Sequence, residues 1–463
     1  MDQKLMSAVK EFVAANRENI VRDIKRLVDI PSVEGIPAPG APFGPGPKAA
    51  LEEGLKMAAE MGLSVRNCED HIGWAQLEGI EPEKYIATIT HLDVVPEGNG
   101  WTADPFDMQV KDGWLIGRGV TDDKGPSVLC LYALKFLKEH KIPLRYTVRA
   151  LLGANEETGM LDVDYYLKNY PAPVFCFSPD AEFPVCNGEK GHLQGLLVSP
   201  EIQDGQILEF DGGVAFNAIP DRASALIKAD LASLKEADGI TLEQEAGGVR
   251  VRGWGKSGHA AMPEGTLNAI ALVVNYLVDN GIGNDAEKAY LKVLHQLHAS
   301  TDGTALGIDA DDGLFDPLTV VGGTIHIVDG TIQQSMDIRF PTNTNGEKLT
   351  RQLEDVAAGA AKVQDVHAAE PFYIDANAAP IKACIDTYNM VTGENAKPFT
   401  MGGGTYARHF PLAVSFGPER LDTVVPEFAG PIHGANEGAN IDQLMQALEI
   451  YILAIIALEE QEL

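Results

Sequence analysis

Histidines and carboxylates with the spacing of metal ligands are the most informative residues of this 463-residue sequence. The set consists of His91, Asp93, Asp122, Asp123, Glu156, Glu157, Asp180 and His433. Imidazole and carboxylate groups are the ligands that two divalent cations need when one carboxylate bridges them. These residue types in this order therefore predict a two-metal centre, and such a centre suggests a hydrolase.

Several members of this set follow predicted β-strands. The strand-like runs are 85–90, 146–152 and 174–177, and helical patterns at 126–139 and 161–169 separate them. This alternation is typical of a mostly parallel sheet flanked by helices. The runs end just before His91, the Glu156-Glu157 pair and Asp180. Because ligands bind beyond the carboxyl ends of strands in open α/β sheets, we expect these residues to share one site.

A second domain is predicted from about Gly191, where the close runs of metal-type residues stop until His433. Its predicted elements are strands at 216–228 and 331–341 and helices at 267–280, 286–298 and 346–361. Since His433 must reach the first site, the C-terminal block is expected to return to the first domain. We predict an α/β catalytic domain of residues 1–190 and 380–463, interrupted by an inserted α+β lid domain of residues 191–379.

The composition argues against several classes of partner. A formal net charge of -31 disfavours nucleic acid and anionic membranes, which require clustered Lys and Arg. The five cysteines are odd in number and widely spread, which favours free thiols in a reducing compartment. The first twenty or so residues lack the pattern of a signal peptide, and the longest apolar stretches are short for a membrane span. We expect a cytoplasmic protein.

The motifs together resemble those of the M20 family of metallopeptidases, most closely its dipeptidase branch of the PepV type. The resemblance extends over essentially the whole chain. It is carried by 42–44, 91–93, 98–106, 117–126, 156–159, Asp180, 255–270, 337–339 and 402–408. The order and spacing of these motifs are much more specific than any one of them alone.

The resemblance implies two sets of metal ligands that share Asp122. One set is His91, Asp122 and Asp180, and the other is Asp122, Glu157 and His433. The implied cofactors are two divalent ions. We expect Zn²⁺, although carboxylate-rich sites also accept Mn²⁺ or Co²⁺. Asp123 is expected to be a structural neighbour, with a ligand role as the alternative.

The resemblance also implies roles for residues that do not bind metal. Glu156 would be the general base that takes a proton from a water shared by the metals, and Asp93 would orient the first histidine ligand. In the lid, His259 would stabilise the oxyanion of the tetrahedral intermediate. Asn217 and Arg339 would hold the substrate, and the guanidinium of Arg339 suits a two-pronged grip on a terminal carboxylate.

Gly403 and Gly404 are predicted to contribute to substrate binding. No Lys-Ser/Thr follows this glycine run, as a phosphate loop would require. The predicted activity is hydrolysis of small peptides, namely dipeptides with a free N-terminus. The alternatives are an N-acyl-amino-acid deacylase or desuccinylase of the same family, and a non-catalytic metal-binding protein, which would lack Glu156 or a ligand. The resemblance to the PepV type, in which an enlarged lid supplies the oxyanion-stabilising histidine from the same chain, implies a monomer.

Overall fold

The computed structural model of the protein describes residues 2–463 and divides into two compact units. The first contains the chain up to Gly188 together with 374–399 and 404–463, and the second contains 189–373 and 400–403. The predicted insertion covers 191–379, whereas the second unit ends at 373 and also includes the short segment 400–403. This segment joins the second unit because the amide of Lys190 donates to Met401 O and the guanidinium of Arg339 donates to Gly402 O.

The α-helices are distributed over both units and are numbered from the N-terminus. They are α1 Gln3–Val28, α2 Pro45–Glu60, α3 Lys124–Glu139, α4 Leu161–Asn169, α5 Ala269–Asp279, α6 Asp285–Ala299, α7 Gly346–Ala357, α8 Ala379–Thr392 and α9 Ile441–Glu459.

The β-strands are numbered in the same way. The first group is β1 Ser64–Cys68, β2 Ile72–Leu77, β3 Glu81–His91, β4 Gln109–Lys111, β5 Trp114–Ile116, β6 Tyr146–Gly153, β7 Phe175–Ser178, β8 Ala181–Glu182 and β9 Cys186–Glu189. The next group is β10 Gly191–Val198, β11 Ile207–Gly212, β12 Ala218–Ile219, β13 Arg222–Ile227, β14 Ile240–Glu245, β15 Gly248–Trp254, β16 Gly258–His259, β17 Thr319–Val321, β18 Ile325–Val328, β19 Thr331–Phe340 and β20 Lys362–Ala369. The last group is β21 Phe372–Tyr373, β22 Phe399–Met401, β23 Ala413–Ser415, β24 Pro418–Glu419 and β25 Gly438–Asn440.

The first unit is built on a mixed sheet with the strand order β1-β2-β6-β3-β7-β23-β9. Its central strands β6, β3, β7 and β23 run parallel, and the strands outside them pair antiparallel. His91 is the last residue of β3 and lies opposite Gly153, the last residue of β6. The carboxyl ends of the parallel strands therefore meet at one edge, and the predicted α/β class is confirmed.

Helix α9 is central to the core of the first unit. Asn440 caps its start by accepting hydrogen bonds from the amides of Asp442 and Gln443. The helix packs against α1, α3 and α8, and most of its side chains belong to the main buried cluster. Among residues 2–463 it is the one helix long and apolar enough, by length and composition, to cross a membrane, and it is mostly buried inside the first unit.

The second unit contains an antiparallel sheet with the order β14-β15-β13-β11-β18-β19-β10-β20, and β17 pairs with β19. Helices α5 and α6 pack together, and α5 covers β13 and β15. The prediction of one strand over 216–228 is wrong: β12 and β13 are separate, with Pro220 and Asp221 between them. A proline has no amide hydrogen to give to a strand ladder, and the two strands pair with different partners, β16 and β15.

The position of α9 leads to a test of the core. Ile455 is completely buried, so Ile455→Ala should lower the free energy of unfolding of the first unit by about 2–5 kcal/mol through lost contacts and a cavity. Urea denaturation followed by the fluorescence of Trp74 and Trp114 measures this change. Glu18→Ala, at an exposed position of α1, is the control and should shift stability by less than about 0.5 kcal/mol. An equal loss in both variants would contradict the central position of α9.

Candidate metal centre

His91 presents one ring nitrogen to two carboxylates at the end of β3. Its Nδ1 lies 3.0 Å from the carbonyl oxygen of Asp93, which can only accept, so Nδ1 carries the hydrogen and Nε2 faces the acids. Nε2 lies 2.9 Å from Asp122 Oδ1 and 3.8 Å from Asp180 Oδ2. These three residues form the first of two groups whose ligand atoms all lie within 4.8 Å of one another.

His433 occupies the equivalent place in the second group. Its Nε2 lies 2.9 Å from Asp122 Oδ2 and 3.2 Å from Glu157 Oε2. The two carboxylate oxygens of Asp122 therefore face two different imidazoles, Oδ1 towards His91 and Oδ2 towards His433. This is the arrangement that a carboxylate bridging two cations requires.

The residues of both groups fit divalent cations. Zinc binds nitrogen and oxygen ligands at about 2.0–2.2 Å, so ligand atoms around one ion lie about 3–3.5 Å apart. The spacings around Asp122 are of this size. Two buried atoms of the first group, His91 Nε2 and Asp122 Oδ1, face each other without hydrogen-bond geometry. Buried polar atoms are rarely left in this way, and a shared cation would satisfy both.

The charges at the centre favour a cation. Burial disfavours a charged imidazole, but the carboxylates of Asp122 and Asp93 hold the pKa of His91 well above its usual range. Hydrogen bonds that His433 donates to the carboxylates of Asp122 and Glu157 raise its pKa to about 10. Carboxylates that stabilise the protonated form of neighbouring imidazoles also attract divalent ions. Protons and metals compete for the same imidazole nitrogen atoms.

Burial and mutual repulsion act on the acids themselves. The pKa of Asp180 is raised well above its usual range by burial and then by Asp122, and the pKa of Glu157 is raised for the same two reasons. A bound cation would be the largest local charge and would lower the pKa of both acids.

Asp93 organises the centre through both its main chain and its side chain. The side chain was predicted to orient His91, but the carbonyl oxygen of Asp93 is the nearer partner of Nδ1 and the carboxylate lies 3.5 Å away. The carboxylate instead accepts the amides of Glu156 and Glu157, each at 3.1 Å. One buried aspartate therefore fixes the first histidine and the start of the Glu156-Glu157 turn together.

The two neighbouring glutamates differ in their contacts. Glu157 belongs to the second group and also accepts the amide of Val95 at 3.3 Å. Within residues 2–463 the carboxylate of Glu156 makes no hydrogen bond. Burial, and then the charges of Glu157 and Asp122, raise its pKa well above the usual range, against the effect of His91. A carboxyl group with a raised pKa suits the predicted role of Glu156 as a general base.

Asp123 lies outside both groups, as expected of a structural neighbour. It is buried and accepts the amide of His91 at 3.1 Å. The peptide bond between Asp122 and Asp123 is cis, and α3 begins at Lys124. The pair therefore lies at a helix N-terminus, where the backbone favours negative charge.

Several supporting residues were missed by sequence reasoning. Tyr406 donates its hydroxyl to Asp162, which also accepts the amides of Ala154 and Asn155 just before the glutamate pair. The ring of Tyr406 meets that of His91 edge-on, with centroids 6.2 Å apart. Tyr406 lies in a recognised motif, whereas Asp162 carries no signal in the sequence because its role is to bind backbone.

The predicted lid residues lie in the second unit. Ala218 of β12 pairs with His259 of β16, and the carbonyl of Asn217 accepts the amide of Ala260. The Nδ1 of His259 accepts the amide of Ala261 at 3.1 Å, which places the ring hydrogen of a neutral imidazole on Nε2. This histidine can therefore donate a hydrogen bond while uncharged.

Arg339 is a buried arginine with a fixed orientation. Its Nε and Nη2 donate to Asp337, at 2.8 and 3.2 Å, and its Nη1 donates to Gly402 O at 3.1 Å. Gly403 belongs to the second unit and Gly404 to the first. A Cβ on Gly403 would meet nothing within 4 Å, whereas one on Gly404 would lie 2.6 Å from the guanidinium of Arg408. The substrate-binding roles of these residues stay predictions.

Comparison with known proteins identifies the family of this chain. The sequence model of peptidase family M20/M25/M40 matches residues 87–457. The chain belongs to this family. It is thus an M20 peptidase, and the resemblance seen in its motifs is confirmed. It is 31% identical over 475 residues to the Beta-Ala-Xaa dipeptidase of Lactobacillus delbrueckii subsp. lactis, which covers 98% of each chain.

Solved structures of M20 peptidases share the fold. Human carnosine dipeptidase 1 aligns with a TM-score of 0.59 and 16% identity, over 99% of this chain and 99% of that chain. The YXEP protein of Bacillus subtilis, described as a dinuclear metal binding peptidase from the M20 family, aligns with a TM-score of 0.55 and 10% identity, over 97% and 100%.

The two groups lead to a test of metal binding. His433→Ala removes a ligand from one group only, so we expect about one divalent ion fewer per chain than in the wild type after dialysis against low metal. Elemental mass spectrometry of the dialysed protein measures this number. His409→Ala is the control, because His409 pairs with Asp164 at 3.2 Å and lies outside both groups. Equal metal content in both variants would exclude His433 as a ligand.

Proposed function

We propose that this M20 peptidase is a di-metal dipeptidase that hydrolyses dipeptides with a free N-terminus. The observation that carries the proposal is the sharing of Asp122 by two ligand groups with Glu156 close by. The family supports peptide hydrolysis, and the relative at 31% identity is named a dipeptidase. The proposed cofactors are two Zn²⁺ ions. Mn²⁺ or Co²⁺ suit the same mixture of imidazole and carboxylate ligands.

The two ions, when bound, supply Lewis-acid polarisation of the peptide carbonyl and activation of water. Glu156 takes a proton from the attacking water and delivers it to the leaving amine nitrogen. The amide of Glu156 donates to the carboxylate of Asp93, which fixes the backbone from which the Glu156 side chain extends. The carbonyl oxygen of Asp93 also fixes the ring of His91, so one residue positions both the proposed base and a proposed metal ligand.

The lid residues supply the predicted substrate contacts. In its neutral form His259 carries the ring hydrogen on Nε2, and such a donor suits a developing oxyanion. Asp337 holds the guanidinium of Arg339 on one side, which supports a preorganised grip on the terminal carboxylate of a dipeptide. Action as a monomer and residence in the cytoplasm stay predictions.

The role of Glu156 has a direct test. Glu156→Gln keeps the shape of the side chain and removes the proton acceptor, so turnover should fall by at least about 100-fold while metal content stays unchanged. Steady-state hydrolysis of free dipeptides in a fixed excess of Zn²⁺, with metal analysis of the same samples, measures both. Glu139→Gln, at the exposed end of α3, is the control and should retain full activity.

The same assay distinguishes the substrate classes. Free dipeptides and N-acetyl-amino acids are compared by kcat/KM with the wild-type protein. A preference for the acetylated substrates would identify an N-acyl-amino-acid deacylase and reject the dipeptidase proposal. Undiminished hydrolysis by Glu156→Gln would reject the assigned base.

A further inference from the structure

A buried ion pair lies beside the two ligand groups without belonging to either. Arg118 and Glu437 are each only 1% exposed, and Arg118 Nη1 lies 2.8 Å from Glu437 Oε2. The two residues are 319 positions apart in the sequence, so the pair joins the loop before Asp122 to the segment after His433.

The carboxylate of Glu437 holds the loop that leads to Asp122. It accepts the amide of Gly119 at 3.1 and 3.2 Å, the amide of Thr121 at 3.0 Å and the amide of Asp122 at 3.2 Å. Its main-chain carbonyl also accepts the amide of Gly117 at 3.0 Å. One side chain therefore fixes the backbone of the shared ligand and of the residues just before it.

The guanidinium of Arg118 holds two further segments. Its Nη2 donates to His433 O at 3.3 Å, to Glu97 O at 3.3 Å and, at the longer distance of 3.5 Å, to Pro96 O. Its face lies over the ring of Trp101, 5.3 Å from the centroid. The guanidinium thereby contacts the backbone of the second histidine and the segment that follows Asp93.

The two groups differ in how their histidines are held. His91 ends a central strand and is fixed by the carbonyl of Asp93 and by Asp123. His433 lies in an irregular segment with a positive φ of 58°, outside any strand or helix. The Arg118–Glu437 pair links the backbone of His433 to that of Asp122, since Arg118 donates to His433 O and Glu437 accepts the amide of Asp122.

A buried ion pair is weak evidence of a contribution to stability, since removing two charges from water costs about as much as their attraction returns. A positional role explains this pair better, because its hydrogen bonds go to the backbone of metal-ligand segments. We propose that Arg118 and Glu437 are positioning residues that set the distance between Asp122 and His433. They thereby determine the affinity of the Asp122–Glu157–His433 group for its metal. This inference rests on the proposed metal centre.

The test uses Glu437→Gln in the full-length chain. Glutamine keeps the size of the side chain, but its amide nitrogen cannot accept from the loop. We expect the affinity for one of the two bound metals to fall about 10–100-fold, which is the usual effect of removing a residue that holds a metal ligand in place. The affinity for the other metal should change much less. Competition of the metal-free protein with a chromogenic chelator for Zn²⁺ measures both affinities. Titration with Co²⁺, followed by its visible absorption, reports the geometry of each site.

Glu459→Gln is the matched control. Glu459 is also a buried glutamate that accepts backbone amides, those of Arg145 and Tyr146 at 2.5 and 3.0 Å. Glu459 is the last residue of α9 and binds the start of β6, whereas the opposite end of that strand lies beside His91. Glu459→Gln should therefore leave both metal affinities and the Co²⁺ spectrum unchanged, even where the thermal midpoint of the metal-free protein falls.

A second variant tests the same role if Glu437→Gln does not fold. Arg118→Lys keeps the charge and loses the forked donors, so it should weaken the same metal site to a smaller extent. Unchanged affinities in whichever of these variants folds would overturn the positional role, provided that the wild type binds two ions. Equal weakening of both sites would also overturn it. A wild type that binds fewer than two ions would instead overturn the proposed metal centre.

Discussion

The sharing of Asp122 by two imidazoles is the constraint on which the rest of the first unit depends. Its two oxygens face His91 and His433, each at 2.9 Å, and Glu157 and Asp180 lie beside them. Burial raises the pKa values of Glu157 and Asp180, and repulsion from the charge of Asp122 raises them further. Two divalent cations relieve that repulsion, and the fold supplies the supports that hold the acids together until the cations bind.

Parallel strands explain how half of the centre is assembled. The carboxyl ends of β3 and β6 lie side by side, so that His91 and the Glu156-Glu157 turn arrive at the same edge of the sheet. Asp93 then joins them through its carbonyl and carboxylate oxygens. The other half comes from outside the sheet, because His433 lies in an irregular segment, where its carbonyl oxygen accepts a hydrogen bond from the guanidinium of Arg118.

The sequence predicted the members of the two candidate ligand groups better than the residues that support them. Metal ligands must be particular residue types, and their order and spacing resemble those of a known family, so the sequence could propose both sets of three residues that the structure brings together. Glu437 and Asp162 act on backbone amides, a task that leaves no pattern of residue types along the chain. The break between β12 and β13 at Pro220 was missed because it accompanies a change of strand partner, which is a tertiary effect.

The difference between the two halves has a thermodynamic consequence. The Asp122–Glu157–His433 group joins residues that are far apart in the sequence, and the pairing of β25 with β5 brings the segment after His433 to the loop before Asp122. Any ordering of the 433–437 segment on binding is part of the binding free energy at this site, whereas His91 is already ordered at the end of a central strand. The buried ion pair of Arg118 and Glu437 reduces this cost by ordering the segment before the cation arrives. Preorganisation of this kind is how a distant histidine can serve as a ligand as effectively as one at the end of a strand.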